Sequence, residues 1–281
     1  MEKVRGVTFD GPCGGLRAPV YLDPLFLPRP DIAPILDADP ELGERLPAED
    51  FEVARRALLV RVVGADPGRW HPEAQWSAAD HPTLGLLVLE GMLTRQITVA
   101  GRLSTELLGA GDVLRPWDED GDLGMMPMPV EWQVMSRTRL AVLDQRFLLT
   151  ACRWPPVVDA IAARALRRSR WLAFQLGMKQ IMRVEGRLLV LLWALSERWG
   201  VVTPQGVQLR LRLTHEALGR LVGARRPSVT TAIGALTEAG AIERIEDGYC
   251  LYGDVEQALR RVVGQPEGPD EPRVQFLSPR R

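Results

Sequence analysis

At Pro155–Pro156 the hydrophobic pattern of this 281-residue chain changes its period. Upstream, short apolar runs recur at hairpin spacing between Gly-containing turns; downstream, apolar residues return every three, four and seven positions. A chain that segregates strands from helices in this way is expected to be α+β, with a β-rich domain followed by a helical one. The length leaves room for two ordinary domains. The upstream runs are Ala57–Val63, Leu84–Leu89 (LGLLVL, ending at Glu90–Gly91), Leu93–Val99 and Arg102–Leu108, with Val130–Leu143 read as two more strands. The segment from Gly64 to Gly68, Gly101 and the run Gly109–Ala110–Gly111–Asp112 punctuate them. This layout predicts a β-barrel or β-roll, although an antiparallel sandwich fits the same periodicity. Residues 1–31, rich in Gly and Pro, are expected to form an irregular lead, and short helices precede the first strand.

The paired prolines suit a helix start, because the first helical position needs no hydrogen-bonded N–H. Val157, Val158, Ile161, Ala165, Leu166 and Leu172 then trace a helical pattern that runs to about Met182. A helix of this length either packs against its own kind or lies along the β domain. A second helix is expected over Gly186–Arg198. Its apolar run Leu188–Leu195 (LLVLLWAL) is too short to span a bilayer and is flanked by Arg187 and Glu197–Arg198. A short strand pair follows around Pro204–Gln205–Gly206.

The segment Leu213–Gly240, LTHEALGRLVGARRPSVTTAIGALTEAG, carries the chemistry. Thr214 is a good N-cap, and Glu216 in the first turn complements the helix dipole. Ala217, Leu218, Leu221 and Val222 form a buried stripe, and Gly223 stops the helix. Gly219 on the inner side lets a second helix approach closely. That second helix begins at Arg226–Pro227 and turns Val229, Ile233 and Leu236 inward, leaving Arg226, Ser228, Thr230, Thr231 and Gly234 outward. A short helix, a tight turn and a second helix with small polar residues at its outward start is the helix-turn-helix layout, in which the second helix enters the DNA major groove. An Arg at the mouth of that helix can offer parallel donors to guanine O6 and N7. Ser and Thr hydroxyls suit phosphates or base edges, and Thr methyls suit the thymine methyl. Between Thr214 and Leu236, Arg220, Arg225 and Arg226 oppose only Glu216. Ala241–Ile245, a turn at Glu246–Asp247–Gly248 and Tyr249–Tyr252 then add a β-hairpin wing. The same residues, taken piece by piece, also fit an ordinary helical hairpin with an appended β-hairpin.

Composition narrows the alternatives. Lys+Arg is 35 against Asp+Glu 36, so binding driven by a global basic excess is not expected. Cys13, Cys152 and Cys250 are scattered, without the spacing of a disulfide scaffold or metal cluster. The three histidines, His71, His81 and His215, make no His-x-His pair, and no Ser/His/Asp group, phosphate loop or HExxH motif is visible. No enzyme, metal or cofactor is expected. With no signal-peptide pattern and no membrane contact foreseen, the expected location is cytoplasmic.

LTHEALGRLVGARRPSVTTAIGALTEAGAIE resembles the helix-turn-helix of the cyclic-AMP receptor/Fnr (Crp/Fnr) family of bacterial transcription regulators. LGLLVLEGMLTRQITVAGRLSTELLGAGDVL resembles that family's β-roll, including the strand ending at Glu90–Gly91 and the LGAGDV turn. The resemblance spans Ile32 to Gly253. It implies an N-terminal β-roll of the cyclic-nucleotide-binding, jelly-roll kind, a long dimerisation helix and a C-terminal winged helix-turn-helix. The implied boundaries are the roll with its short helices over 32–154, the dimerisation helix over 155–182 and the DNA-binding domain over 183–263; composition adds the lead over 1–31 and an expected disordered tail over 264–281. It also implies a homodimer on a near-palindromic operator of double-stranded DNA, with RNA polymerase as a further partner. By this resemblance Arg226 matches a base-contacting Arg and Ser228 a phosphate- or backbone-contacting hydroxyl. Pro227 and Thr231 fall where other members carry a base-reading Glu and a second Arg, which implies a different operator. With Thr214, Arg225 and Thr230 these form the expected DNA-binding set.

The sensor half departs from the cyclic-nucleotide pattern. Gly111–Asp112 is followed by Val113–Leu114–Arg115–Pro116–Trp117, without the Gly-Glu pair that holds a ribose, and Met125–Pro129 (MMPMP) offers no Arg to a phosphate. An anion there would lack its charged hydrogen bonds, so control by cyclic AMP in the familiar mode is not expected. Arg115, Trp117, Met126, Met128 and Trp132 are a candidate pocket for another small-molecule effector; the same residues fit plain core packing. The expected function is sequence-specific DNA binding by a transcription regulator. The alternative is a protein-interaction or effector-binding module of β-roll type without specific DNA binding.

Overall fold

The computed structural model describes residues 31–72, 82–118 and 128–263. The expected lead (apart from Asp31), the tail over 264–281, His81, Met125 and Met126 lie outside the described residues. The N-terminal sheet runs in the order β1 (Asp31–Pro34), β2 (Leu59–Ala65), β7 (Val130–Leu143), β4 (Gly85–Val99) and β5 (Arg102–Gly109). Two short strands complete it: β3 (Gly68–Trp70) on β7 and β6 (Val113–Leu114) on β4. Every pairing in it is antiparallel.

Both faces of this sheet are covered, which explains why LGLLVL reads as a continuous apolar run rather than an alternating one. Leu86 and Val88 on β4 join Leu140 and Val142 on β7 in the roll interior, with Leu93, Leu108, Leu114, Trp70, Trp132 and Val134. Their neighbours Leu87, Ala141 and Leu143 point the other way, onto helices. Those helices are α1 (Ile35–Ala38), α2 (Ala48–Ala57), α3 (Gln145–Ala151) and the start of α4 (Pro155–Met178). Asp144 caps α3 by accepting from Phe147 N at 2.8 Å.

Two strand assignments differ from expectation. Ala57 closes α2, and the strand starts two residues later at Leu59, because Leu58 is wholly buried with the helices. The runs Leu84–Leu89 and Leu93–Val99 are one strand, bent by register shifts against β7 between Val88 and Leu93. Gly91, at φ 92°, sits in this bulge, where a Cβ would strike the backbone of Thr138 at 2.6 Å. Val130–Leu143 is likewise a single strand.

The long helix α4 ends at Met178, four residues short of the expected Met182, and its first half lies against the β domain. One face buries Val157 and Ile161 in the roll's helical cluster and Met178 in the C-terminal core. Away from that face, Leu166, Leu172 and Leu176 are left at 59%, 37% and 68% exposure. Next comes α5 (Val184–Trp199), whose Leu188, Leu189, Leu191, Leu192 and Leu195 are wholly buried. Each such side chain contributes about 1.5–3 kcal/mol relative to exposure. A helix apolar on this many sides is a domain core, and α5 is the pillar around which α6 (His215–Val222), α7 (Arg226–Glu238) and α8 (Val255–Val263) pack. A second antiparallel sheet, in the order β10 (Ile242–Ile245), β11 (Gly248–Leu251), β9 (Gly206–Leu209), β8 (Gly200–Thr203), completes this half. Among the described residues no helix is long and apolar enough to cross a membrane.

Candidate nucleic-acid interface

Local chemistry builds the α6–turn–α7 unit. Thr214 Oγ1 caps α6 by accepting from Ala217 N at 3.1 Å. Gly223 then reverses the chain at φ 68°, and Ala224 N donates back to Gly219 O at 2.8 Å. Gly219 has no room for a side chain: a Cβ would sit 2.6 Å from Ala224 O and 3.5 Å from Val229 Cγ2. The close approach that the sequence suggests at this glycine is therefore made chiefly by the turn backbone. Arg187, on α5, holds the turn from behind, donating from Nη1 to Val222 O at 2.9 Å and Gly223 O at 3.4 Å. Helix α7 starts at Arg226, with Arg225 at its N-cap, so Pro227 sits one position inside the helix start, where its missing N–H is still not needed.

The two faces of α7 separate cleanly. Val229, Ala232, Ile233 and Leu236 are buried. Arg225, Arg226, Pro227, Ser228, Thr230, Thr231 and Gly234 are all exposed, as is Thr214 at the start of α6. The structure thus brings the whole expected DNA-binding set to one surface. Thr230 and Thr231 donate their hydroxyls to the carbonyls of Arg226 and Pro227, at 3.1 and 3.2 Å, which leaves lone pairs on their oxygens as acceptors.

Charge on this surface differs from the sequence count. Arg220 is taken by Glu216 at 2.5 Å, an i,i+4 pair on α6. That pairing cancels Glu216, the one acidic residue between Thr214 and Leu236, and leaves Arg225 and Arg226, at the N-terminal end of α7, with no ion pair among the described residues. The helix dipole adds to their positive field. The wing strand β10 contributes Arg244, whose charge, after burial, is the next cause holding His215 below its ordinary pKa; Arg226 acts in the same direction. Arg187, His215 and Arg244 are the residues that sequence reasoning missed. A histidine at the first helical position and an arginine in the wing were visible, but nothing local joined them to α7.

The wing hairpin is tighter than expected. Ile245 pairs directly with Gly248, so its turn is Glu246–Asp247 and Gly248 belongs to the strand. The glycine is needed for space: a Cβ there would collide with Leu209 O of β9. Arg212, before α6, ties the turn to the domain through Asp247, at 2.6 Å from its Nε.

The β-roll reaches this half through the turn at Gly109–Asp112. Arg198 on α5 donates to the buried Asp112 carboxylate at 2.9 Å, and Gly109 N donates to the same oxygen at 2.9 Å. Arg164 on α4 donates to Gly111 O at 3.3 Å and to Asp39 at 2.7 Å. Burial raises the Asp39 pKa, and the adjacent Arg164 opposes that rise. Along the same strand Arg168 of α4 grips Glu106 at 2.8 Å. The family-like LGAGDV turn is thus a junction between roll, long helix and C-terminal half.

The candidate effector residues are divided. Trp132 is buried edge-on to Trp70, with centroids 5.8 Å apart, and Trp117 packs against the same interior cluster. Met128 is half-buried before β7, and Met126 lies outside the described residues. Arg115 donates to Thr83 O at 2.7 Å, so it pins the chain before β4.

Residues 186–257 match the Crp-like helix-turn-helix domain family. No curated protein sequence matches the chain. Among solved structures, a cyclic nucleotide-binding domain containing protein from Listeria monocytogenes EGD-e superposes with a TM-score of 0.56 at 15% identity, covering 75% of this chain and 96% of its own. A double mutant of CooA from Carboxydothermus hydrogenoformans gives 0.53 at 18% identity, covering 71% and 86%. FixK2 from Bradyrhizobium japonicum gives 0.51 at 12%, covering 71% and 95%. Identities this low establish the fold alone: an N-terminal β-roll of the cyclic-nucleotide-binding kind joined by helices to a C-terminal winged helix-turn-helix.

Proposed function

We propose that this chain, a transcription regulator of the Crp/Fnr type with a helix-turn-helix DNA-binding domain, acts as a homodimer that reads a near-palindromic operator. The observation that carries this reading is the surface of α7, where two uncompensated arginines stand at the mouth of a helix whose outward residues are small and polar. A helix so furnished fits the major groove N-terminus first. Arg226 is the base reader, bidentate to guanine, and Thr230 and Thr231 offer acceptors and methyls to adjacent base edges. Arg225, Ser228 and Thr214 hold phosphates.

The homodimer is supported by α4, where Ala162, Ala165, Leu166, Ser169, Leu172, Ala173 and Leu176 recur at heptad spacing on the exposed side. The domain limits follow the same logic: roll over 32–154, dimerisation helix from Pro155, DNA-binding domain over 183–263. Control by cyclic AMP in the familiar mode is disfavoured by the residues around the Gly111–Asp112 turn. Asp112 is engaged by Arg198 and Gly109 N, and Arg115, the nearest following cation, is engaged by Thr83 O. Another effector for the roll, RNA polymerase as a partner and a cytoplasmic location belong to the same proposal.

The test is selection of duplexes from a random-sequence pool, followed by gel shifts with non-specific competitor over a range of salt. A regulator selects one sequence, holds it against competitor and loses affinity linearly in log salt. Arg225→Ala flattens that slope by about one, the mark of a lost phosphate contact. Recovery of no preferred sequence would instead favour a β-roll interaction module.

A further inference from the structure

The first residue of α6 touches the outward face of α7. His215 Nδ1 lies 2.9 Å from Thr230 Oγ1, a contact across fifteen positions of sequence. Thr230 also lies 3.1 Å from the carbonyl of Arg226, to which its hydroxyl donates. Protonation puts hydrogen on both ring nitrogens, so in the imidazolium Nδ1 donates to Thr230 Oγ1, whose own proton goes to the carbonyl. Nε2 is then the second, charged donor of the ring.

We propose that His215 couples DNA binding to proton uptake: the neutral ring positions Thr230 in the free protein, and the protonated ring adds a charge-assisted hydrogen bond from Nε2 to a backbone phosphate. This inference rests on the DNA-binding reading above and extends it to the regulation of the same surface. The charged groups around the ring decide the direction. Arg226 from α7 and Arg244 from β10 face it, and together with partial burial they hold the proton off in the free protein. Glu216, next along α6, is neutralised by Arg220, and Arg212 before the helix is tied to Asp247. Among the described residues the charges that act on the ring are Arg244 and Arg226, and no carboxylate offsets them. A duplex laid on this surface reverses the balance, since its phosphates compensate Arg244 and bring negative charge to the ring.

The sign follows from linkage. Protonation is favoured in the complex and disfavoured in the free protein, so affinity is greatest at acid pH. It falls by up to about tenfold per pH unit per protomer between the free and bound pKa values, and levels off above the bound one. Histidine is the side chain whose ordinary titration falls in this window, and His215 is the one histidine of the C-terminal half.

The experiment measures the affinity of full-length protein for its best-selected duplex from about pH 5.5 to 8 at fixed ionic strength, with His215→Gln alongside, the window being set by an unperturbed His pKa of about 6.5. The amide keeps a neutral hydrogen bond to Thr230. The wild type loses affinity as pH rises, while His215→Gln is flat and matches the wild type at the alkaline end. The titration of the His215 ring resonances in wild-type protein, with and without duplex, reads the same proton without any substitution, and its midpoint rises on binding. An unchanged midpoint, or a pH slope that survives in His215→Gln, overturns the inference while leaving sequence-selective binding intact. Failure to select any sequence overturns the underlying reading and the inference with it.

Discussion

Two glycines of the helix-turn-helix, given the same methyl group, are expected to shift stability in opposite directions. At Gly219 the added Cβ would stand 2.6 Å from Ala224 O. That oxygen belongs to the turn backbone, which is closed by the 2.8 Å bond from Ala224 N to Gly219 O and gripped behind by Arg187. It cannot swing aside as the end of a side chain could. Overpacking of this kind costs about 1–3 kcal/mol. Against it stands the helix-propensity gain of Ala over Gly, about 1 kcal/mol. The net for Gly219→Ala is a loss of up to about 2 kcal/mol. At Gly234, in the middle of α7, a Cβ meets nothing within 4 Å. Only the propensity gain applies, and Gly234→Ala should stabilise by about 1 kcal/mol. Urea unfolding of the full-length chain followed by circular dichroism reads both as shifts in midpoint at constant slope. Gly219→Ala should move it down and Gly234→Ala up. Equal upward shifts for the two variants would refute the crowding argument and, with it, the turn geometry that aims α7.

Three further outcomes follow from the same coordinates. Arg226→Ala should cost about 1–3 kcal/mol at the selected operator and relax preference at one base pair; equal loss on all duplexes would make Arg226 a phosphate contact. Leu176→Asp places a charge at the C-terminal end of the exposed apolar series of α4, at its most exposed leucine, and should shift the protein to monomer in sedimentation, with operator affinity falling as the second half-site is lost; an unchanged dimer would assign the interface elsewhere. Arg198→Ala strips the buried Asp112 of its cation and should lower unfolding free energy by about 3 kcal/mol, and replacing both residues by Ala should recover part of that loss. A double variant no better than the single would show that the pair does not join roll and C-terminal half.

What the sequence determined by itself was local. Thr214 caps α6, Gly223 ends it, and the spacing of Val229, Ile233 and Leu236 chooses the buried face of α7, because caps, turns and helical period are settled within a few residues. The exposed set from Arg225 to Thr231 was legible for the same reason. Tertiary structure decided whatever depends on partners distant along the chain. Whether LGLLVL and the run after Gly91 are two strands or one depends on β7, which supplies the bulged ladder. Which arginines stay uncompensated depends on what other elements bring to them: Arg212 meets Asp247 of the wing turn, thirty-five positions on, while no such partner reaches Arg225 or Arg226 among the described residues. The partnership of His215 with Thr230, the hold of Arg187 on the turn and the reason for Gly248 all join elements that only packing brings together. Periodicity says which way a side chain faces along its own element; it carries no information about what another element will place opposite it.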